Sequence, residues 1–290
     1  MSFVAQIFSG IAIGCIYGLV AIGFSMIYRA MGLVNFAQAE FMMIGAFFGY
    51  SVLTAFPEMP FLAVLAIACA GTAVLGVVLE RIAFRPAIRR GASDIYLVLL
   101  TLGIGMVLSN GARLIWGANP VVYQIPLAHD ITRLAGYPLP TMYFYILAFM
   151  VLLLVILQWF FTKSWTGLAL RAVAEDRKTA QLMGVDAGFA SSFSFAIASA
   201  IGAAAGVLYA PIIYVSFDMG AVGIKAFAAA VMGGFGSIAG AVVGGVGLGV
   251  VEMVGGQLLA PEYQDSVAFA VMILVLLLRP NGLIGKGIAK

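Results

Sequence analysis

The chain reads as an all-α, polytopic helical membrane protein of eight or nine transmembrane segments, one domain over residues 1–290, with an inverted repeat. Three observations predict this. Apolar residues make up 63% of the chain and charged residues 9%. A soluble domain carries about 25% charged residues, so too few are present here to cover a water-facing surface. The apolar runs are continuous, which fits helices crossing hydrocarbon and excludes the period-two alternation of a β-barrel. Basic residues gather between the runs, where they set orientation. The net charge of +3 therefore reports topology. Membrane lipid is the expected surrounding, and no nucleic-acid partner is expected.

Each element follows in order. The N-terminus, MSFVAQIFSGIAIG, has no basic leader and no cleavage pattern, so it reads as a first span and not a signal peptide. A crossing takes roughly 20 apolar residues. Candidate spans fall at 4–28, 36–56, 61–83, 94–116, 141–162, 189–213, 222–235, 238–259 and 263–279. The 222–235 piece is short for a crossing and reads as a half-helix or a re-entrant segment. Arg29, the cluster Arg81, Arg85, Arg89 and Arg90, the run from Lys163 to Lys178, and the trio Arg279, Lys286 and Lys290 all fall on one side if nine spans are real. The positive-inside rule makes that side cytoplasmic, with the N-terminus periplasmic and the C-terminus cytoplasmic. The loop 117–140, stiffened by Pro120, Pro126, Pro138 and Pro140, falls on the other side. It serves either as a rigid connector or as a seat for an extracellular partner. Cys15 and Cys69 lie in apolar spans as small hydrophobes, and His129 stands alone in a loop, so no metal site is expected.

Small residues recur every fourth position: Gly10, Gly14 and Gly18; Ala198, Gly202, Gly206 and Ala210; Gly236, Gly240 and Gly244. Such ladders let helix backbones approach closely in lipid. The stretches that open on AIGCIYGLVAIGF and SFAIASAIGAAAG each run span, polar break, apolar segment. By the charge argument they run in opposite directions, the mark of an inverted repeat with the pathway at its interface.

Two kinds of polar stretch remain. The first, Lys163–Asp186, is the longest polar run. It predicts a helix over 168–183, with Arg171 and Glu175 four apart and able to pair. Gly184 is placed to stop that helix, and Asp186 to cap the next span. Such a helix either lies on lipid headgroups or docks a soluble partner. The second kind comprises breaks inside the apolar region: Asn35, Gln38 and Glu40; Thr101, Ser109 and Asn110; and Ser216, Asp218 and Lys225, with Asp218 and Lys225 able to pair. Glu40 sits either at the cytoplasmic interface near Arg29 or on a pathway, since an ionised residue at the bilayer centre costs about 2.5–3.5 kcal/mol and needs a reason to be there. The glycine-rich run GGFGSIAGAVVGG lacks the Lys and Ser/Thr of a phosphate loop, and no hydrolase elbow or HExxH motif occurs. No catalytic residue or cofactor is expected.

NFAQAEFMMIGAF (35–47), RAVAEDRKTAQLMGVD (171–186) and KAFAAAVMGGFGSIAGAVVGG (225–245) resemble the permease subunits of branched-chain amino acid ABC importers, nearly throughout the chain. Many relatives have His-Gly where this chain has Gln38–Ala39. The resemblance implies a multi-pass protein of the bacterial inner membrane. Its partners would be a second homologous permease subunit, two cytoplasmic ATP-binding subunits and an extracytoplasmic substrate-binding protein. It places the ATPase contact on residues 163–186, with Arg171, Glu175, Asp176, Ala180, Gly184 and Asp186 as coupling residues. Asn35, Gln38, Glu40, Thr101, Asp218 and Lys225 become the pathway candidates. The cargo implied is a hydrophobic amino acid, with urea, short amides or aromatic acids in neighbouring branches. A secondary transporter is the competing class. It would need a coupling carboxylate in mid-membrane, for which Glu40 and Asp218 are the candidates.

Overall fold

The computed structural model describes residues 3–123, 125, 131–134 and 137–284. Pro126, His129, Lys286 and Lys290 lie outside the described residues. The helices are α1 (Phe3–Met31), α2 (Gln38–Ala55), α3 (Phe61–Leu79), α4 (Arg85–Arg89), α5 (Asp94–Trp116), α6 (Met142–Lys163), α7 (Trp165–Glu175), α8 (Arg177–Leu182), α9 (Ala187–Tyr209), α10 (Val222–Gly233), α11 (Ile238–Leu258) and α12 (Gln264–Leu278). A π-helical turn, Glu80–Phe84, joins α3 to α4 without a break. The loop after α5 carries an antiparallel hairpin, β1 (Ile131–Leu134) and β2 (Tyr137–Pro140), paired from Ile131↔Pro140 to Leu134↔Tyr137. This hairpin is a small departure from the all-α expectation.

Among the described residues seven helices are long and apolar enough to cross a membrane: α1, α3 with its extension, α5, α6, α9, α11 and α12. Neither α2, with 18 residues, nor α10, with 12, is among them. The core is built on α1 and α9, each with 78% of its most apolar window buried, against 17% for α6 and 6% for α12. The outer helices keep their apolar faces, Leu152 and Val155 on α6 or Leu277 and Leu278 on α12, for the surrounding lipid.

The glycine ladders explain how the core closes. Gly10, Gly14 and Gly18 meet Val250, Val246 and Val242 in turn, so α1 and α11 run antiparallel with backbones touching. Gly202 and Gly206 take Phe41 and Met42, which fixes α2 alongside α9. Gly240 and Gly244 face Gly233 and Ala229 of α10, whereas Gly236 falls in the turn before α11. The third ladder is thus one residue shorter than its spacing suggested. In lipid, where no hydrophobic force drives helices together, this closeness supplies dispersion contact.

The helix directions establish an inverted pair. On one side Gly76 meets Ser199 and Phe195, and Glu80 reaches Ser192, so α3 runs antiparallel to α9. Phe24 and Tyr28 of α1 pair in order with Phe227 and Phe235, so α10 runs with α1. The unit α1–break–α2–α3 therefore maps onto α9–break–α10–α11 turned over. Arg29 shares a small pocket with Leu170, Arg171 and Ser194, which puts the end of α1 beside α7 and the start of α9. That end of the bundle, with Arg85, Arg89 and Arg177 gathered in a neighbouring cleft, is the basic end.

Candidate functional site

Two places hold the polar residues singled out by the sequence. The first is the meeting point of the two breaks. After α1 ends at the basic end, residues 32–37 turn back into the bundle. The Gln38 side chain then donates to the carbonyl of Ala198, 2.8 Å away, at the midpoint of α9. The Glu40 side chain lies against Gly105, the midpoint of α5. Two independent landmarks thus start α2 at mid-depth. The second break, with its short 3-10 helix Phe217–Ala221, returns from the opposite end and starts α10 at the same level: Gly220 faces Glu40, and Gly223 faces Ala39. The 12 residues of α10 span ~18 Å, enough to run from mid-depth to the basic end. Two half-helices therefore meet start to start, as in transporters with broken helices.

Asn35, Gln38 and Thr101 are fully buried here. Asn35 Oδ1 accepts from the Ala37 amide at 3.2 Å, and Thr101 Oγ1 accepts from the Phe36 amide at 3.2 Å while donating to the Val98 carbonyl at 2.7 Å. Asn35 Nδ2, Gln38 Oε1 and Glu40 Oε2 have no hydrogen-bond partner among the described residues. Glu40 is half-buried and has no cation within ion-pair reach among them. Of its two readings, the place at the cytoplasmic interface beside Arg29 fails, because Glu40 stands at mid-depth while Arg29 sits at the basic end.

Asp218 and Lys225 do not pair. Asp218 is exposed, one residue beyond Phe217, whose carbonyl accepts from Ser109 at 3.2 Å. Lys225 instead bonds Glu252 of α11 at 2.7 Å and Asp265 of α12 at 2.6 Å. These partners lie 27 and 40 positions along the chain and carry no local spacing signal. The triad ties α10, α11 and α12 together, a structural use of Lys225.

The second place is the basic end. The single helix expected over 168–183 is two, because Asp176 takes extended backbone and caps α8 through the Lys178 amide at 2.8 Å and the Thr179 amide at 3.1 Å. Short polar side chains compete with a helix ladder in this way. The expected Arg171–Glu175 ion pair does not form; both side chains are exposed. Ala180 is buried with Leu170, Val173, Ala187 and Ala190 in a small cluster that seats α7 and α8 on α9. Gly184 adopts φ +87° and stops α8, and Asp186 caps α9 through the Gly188 amide at 2.7 Å and the Phe189 amide at 3.1 Å, both as expected.

Both caps are charged. The Thr179 hydroxyl, then the Thr179 and Lys178 amides, hold the Asp176 carboxyl below the usual aspartate range. The Phe189 and Gly188 amides do the same for Asp186, with Arg85 and Arg89 adding. A depressed folded pKa contributes stability above the unfolded value of roughly 4, lost as pH falls through the lower folded value. Amide hydrogen exchange at Lys178, Thr179, Gly188 and Phe189 should therefore be equally protected at pH 8 and pH 5, after correction for the intrinsic rate. Asp186→Ala should open Gly188 and Phe189 selectively, and Asp186→Asn should not, since asparagine caps as well.

One group escaped the sequence reading. Glu80 is 1% exposed and accepts from Arg85 and Ser192 beside the α9 cap. In sequence Arg85 is only a topology signal and Glu80 is not singled out, because the two are five apart and share a face only on a π turn.

Inverted halves meeting at mid-depth, with a polar helix pair seated at one end, are the build of a transport permease. Comparison with known proteins agrees. The model of the family described as "Branched-chain amino acid transport system / permease component" matches residues 6–276, and the chain belongs to that family. It is 34% identical over 300 residues to the high-affinity branched-chain amino acid transport system permease protein BraD of Pseudomonas aeruginosa, covering 98% of this chain and 96% of the relative. It is 33% identical over 302 residues to the permease protein LivH of Escherichia coli K12, with the same coverage. No solved structure matches.

Proposed function

We propose that this chain is the membrane-spanning permease subunit of an ABC importer of the bacterial inner membrane, moving branched-chain amino acids. It pairs with a second homologous permease. Two cytoplasmic ATP-binding subunits dock at the basic end on α7 and α8, and an extracytoplasmic binding protein delivers cargo at the opposite end. The observation that supports docking most is the seating of α7 and α8: an exposed polar pair, fixed to the start of α9 by a small apolar cluster and the Asp186 cap. Force applied there moves α9, which carries the Gln38 anchor at its midpoint. Rocking α9 then opens the junction of the half-helices alternately to the two sides. Asn35, Gln38, Glu40 and Thr101 line that junction, with Asp218 and Lys225 at its margin.

The test is purification of the tagged chain in mild detergent with its neighbours identified, followed by uptake of labelled leucine in liposomes. Two ATP-binding chains and a second permease should co-purify. A lone chain that drives uptake from an ion gradient would establish the competing reading, a secondary transporter, which the mid-depth carboxylate of Glu40 alone favours. Gly184→Pro tests the docking segment directly. Proline fixes φ near −65° and removes the amide that donates to Gln181 at 3.0 Å. Membrane insertion should be unchanged, while ATP hydrolysis continues without uptake. Charge reversal at Glu175 and Asp176 should do the same, and normal uptake in these variants would remove the docking role.

A further inference from the structure

We propose that Glu80 and Arg85 form the linkage through which motion of α8 reaches α3, so that both inverted halves move together. This rests on the docking of ATP-binding subunits at α7 and α8. The linkage begins at the α8–α9 junction. There the peptide of Gly188 is held from both sides: its N–H donates to Asp186 Oδ1 at 2.7 Å, and its carbonyl accepts from Arg85 Nη2 at 2.7 Å. The same guanidinium donates through Nε to Glu80 Oε1 at 3.2 Å and through Nη2 to Ser192 Oγ at 2.7 Å, with Glu80 Oε2 in ion-pair contact with Nη2 at 3.2 Å. Ser192 in turn donates to Glu80 Oε2 at 2.6 Å. From the Asp186 cap of α9, four residues after α8 ends, to Glu80 at the end of α3 the hydrogen bonds run without a gap.

Three features suit this arrangement to transmission. Glu80 is buried and every link is charge-assisted, so the geometry is stiff. For stability alone an apolar pair of like volume would serve as well. The linkage enters at the π turn that follows α3, a local irregularity of the kind found frequently at functional sites. Finally, a cleft of about 280 Å³ lies beside Glu80 and Arg85, bordered by Arg177 and Gln181 of α8, and gives α8 room to approach.

The experiment uses the complete complex in liposomes and measures leucine uptake and ATP hydrolysis in the same sample. Glu80→Gln keeps the shape and removes the charge. Ser192→Ala removes two hydrogen bonds of the linkage, those to Arg85 and Glu80, with little risk to folding. Arg85→Lys keeps the charge but loses the Nε donor to Glu80 Oε1 and with it the two-nitrogen hold on the carboxylate. Each should leave the amount of ATP-binding subunit retained unchanged and lower uptake per ATP by about 5-fold or more, the usual scale of a coupling interaction. The proposal is overturned if uptake and hydrolysis fall together in proportion to assembled complex, which marks a merely structural cluster, or if the ratio stays at its wild-type value. Failure of the wild-type chain to retain ATP-binding subunits is a separate result, read before any variant, and would sink the docking reading itself.

Discussion

Gly206→Val should abolish the folded permease. A side chain at Gly206 would collide with the Met42 carbonyl and come within 2.9 Å of its carbon and 3.1 Å of the Ala46 amide, all backbone atoms of α2. No rotamer relieves such a clash, so α2 and α9 would have to separate. Overpacking ordinarily costs about 1–3 kcal/mol, and more when backbones must move. Here the loss falls on the helix that carries Gln38 and Glu40. The monodisperse fraction in size-exclusion chromatography should drop to a small remnant. Gly103→Val is the control: a Cβ there meets nothing within 4 Å, and the protein should behave as wild type. Survival of Gly206→Val at normal yield would mean that the close α2–α9 crossing is not part of the working fold.

Glu40→Gln should give the opposite pattern, an intact protein that transports poorly. An ionised carboxylate at mid-depth costs about 2.5–3.5 kcal/mol on insertion scales, and no cation among the described residues offsets it. Neutralising it should leave the yield of folded protein equal or higher. The carboxylate faces Gly220 at the junction, and its Oε2 has no hydrogen-bond partner among the described residues. An amino acid in transit carries an ammonium that can answer it. Leucine uptake in the intact complex should therefore fall about tenfold, equivalent to ~1.4 kcal/mol. Uptake at the wild-type rate would take Glu40 off the path.

Much of this was legible because membranes make sequences speak plainly. Continuous apolar runs placed the long helices, and the shortness of 222–235 marked α10 as a half-helix or a re-entrant segment. Gly184 and Asp186 announced the end of one helix and the start of another through local chemistry alone. What stayed hidden depends on distance or on rare geometry. Lys225 was within reach of Asp218 by sequence, yet its partners came from α11 and α12. Glu80 and Arg85 need a π turn to share a face, and no residue pattern announces one. The break at Asp176 has neither proline nor glycine; only the capping geometry creates it. Glu40 was ambiguous because hydropathy reports that a residue is polar, not how deep it lies.

The ladder between α1 and α11 has a consequence for how the chain is made. Gly10 meets the backbone of Gly249 and Val250, so α1 waits until those residues have been made before its partner exists. At a synthesis rate of 5–20 residues per second, that interval is roughly ten to fifty seconds. During it α1 sits in the bilayer with its small-residue stripe uncovered, exposed to any other helix bearing a matching stripe. Arrival of α11 in the bilayer, not insertion of α1, is therefore the event that closes this part of the core.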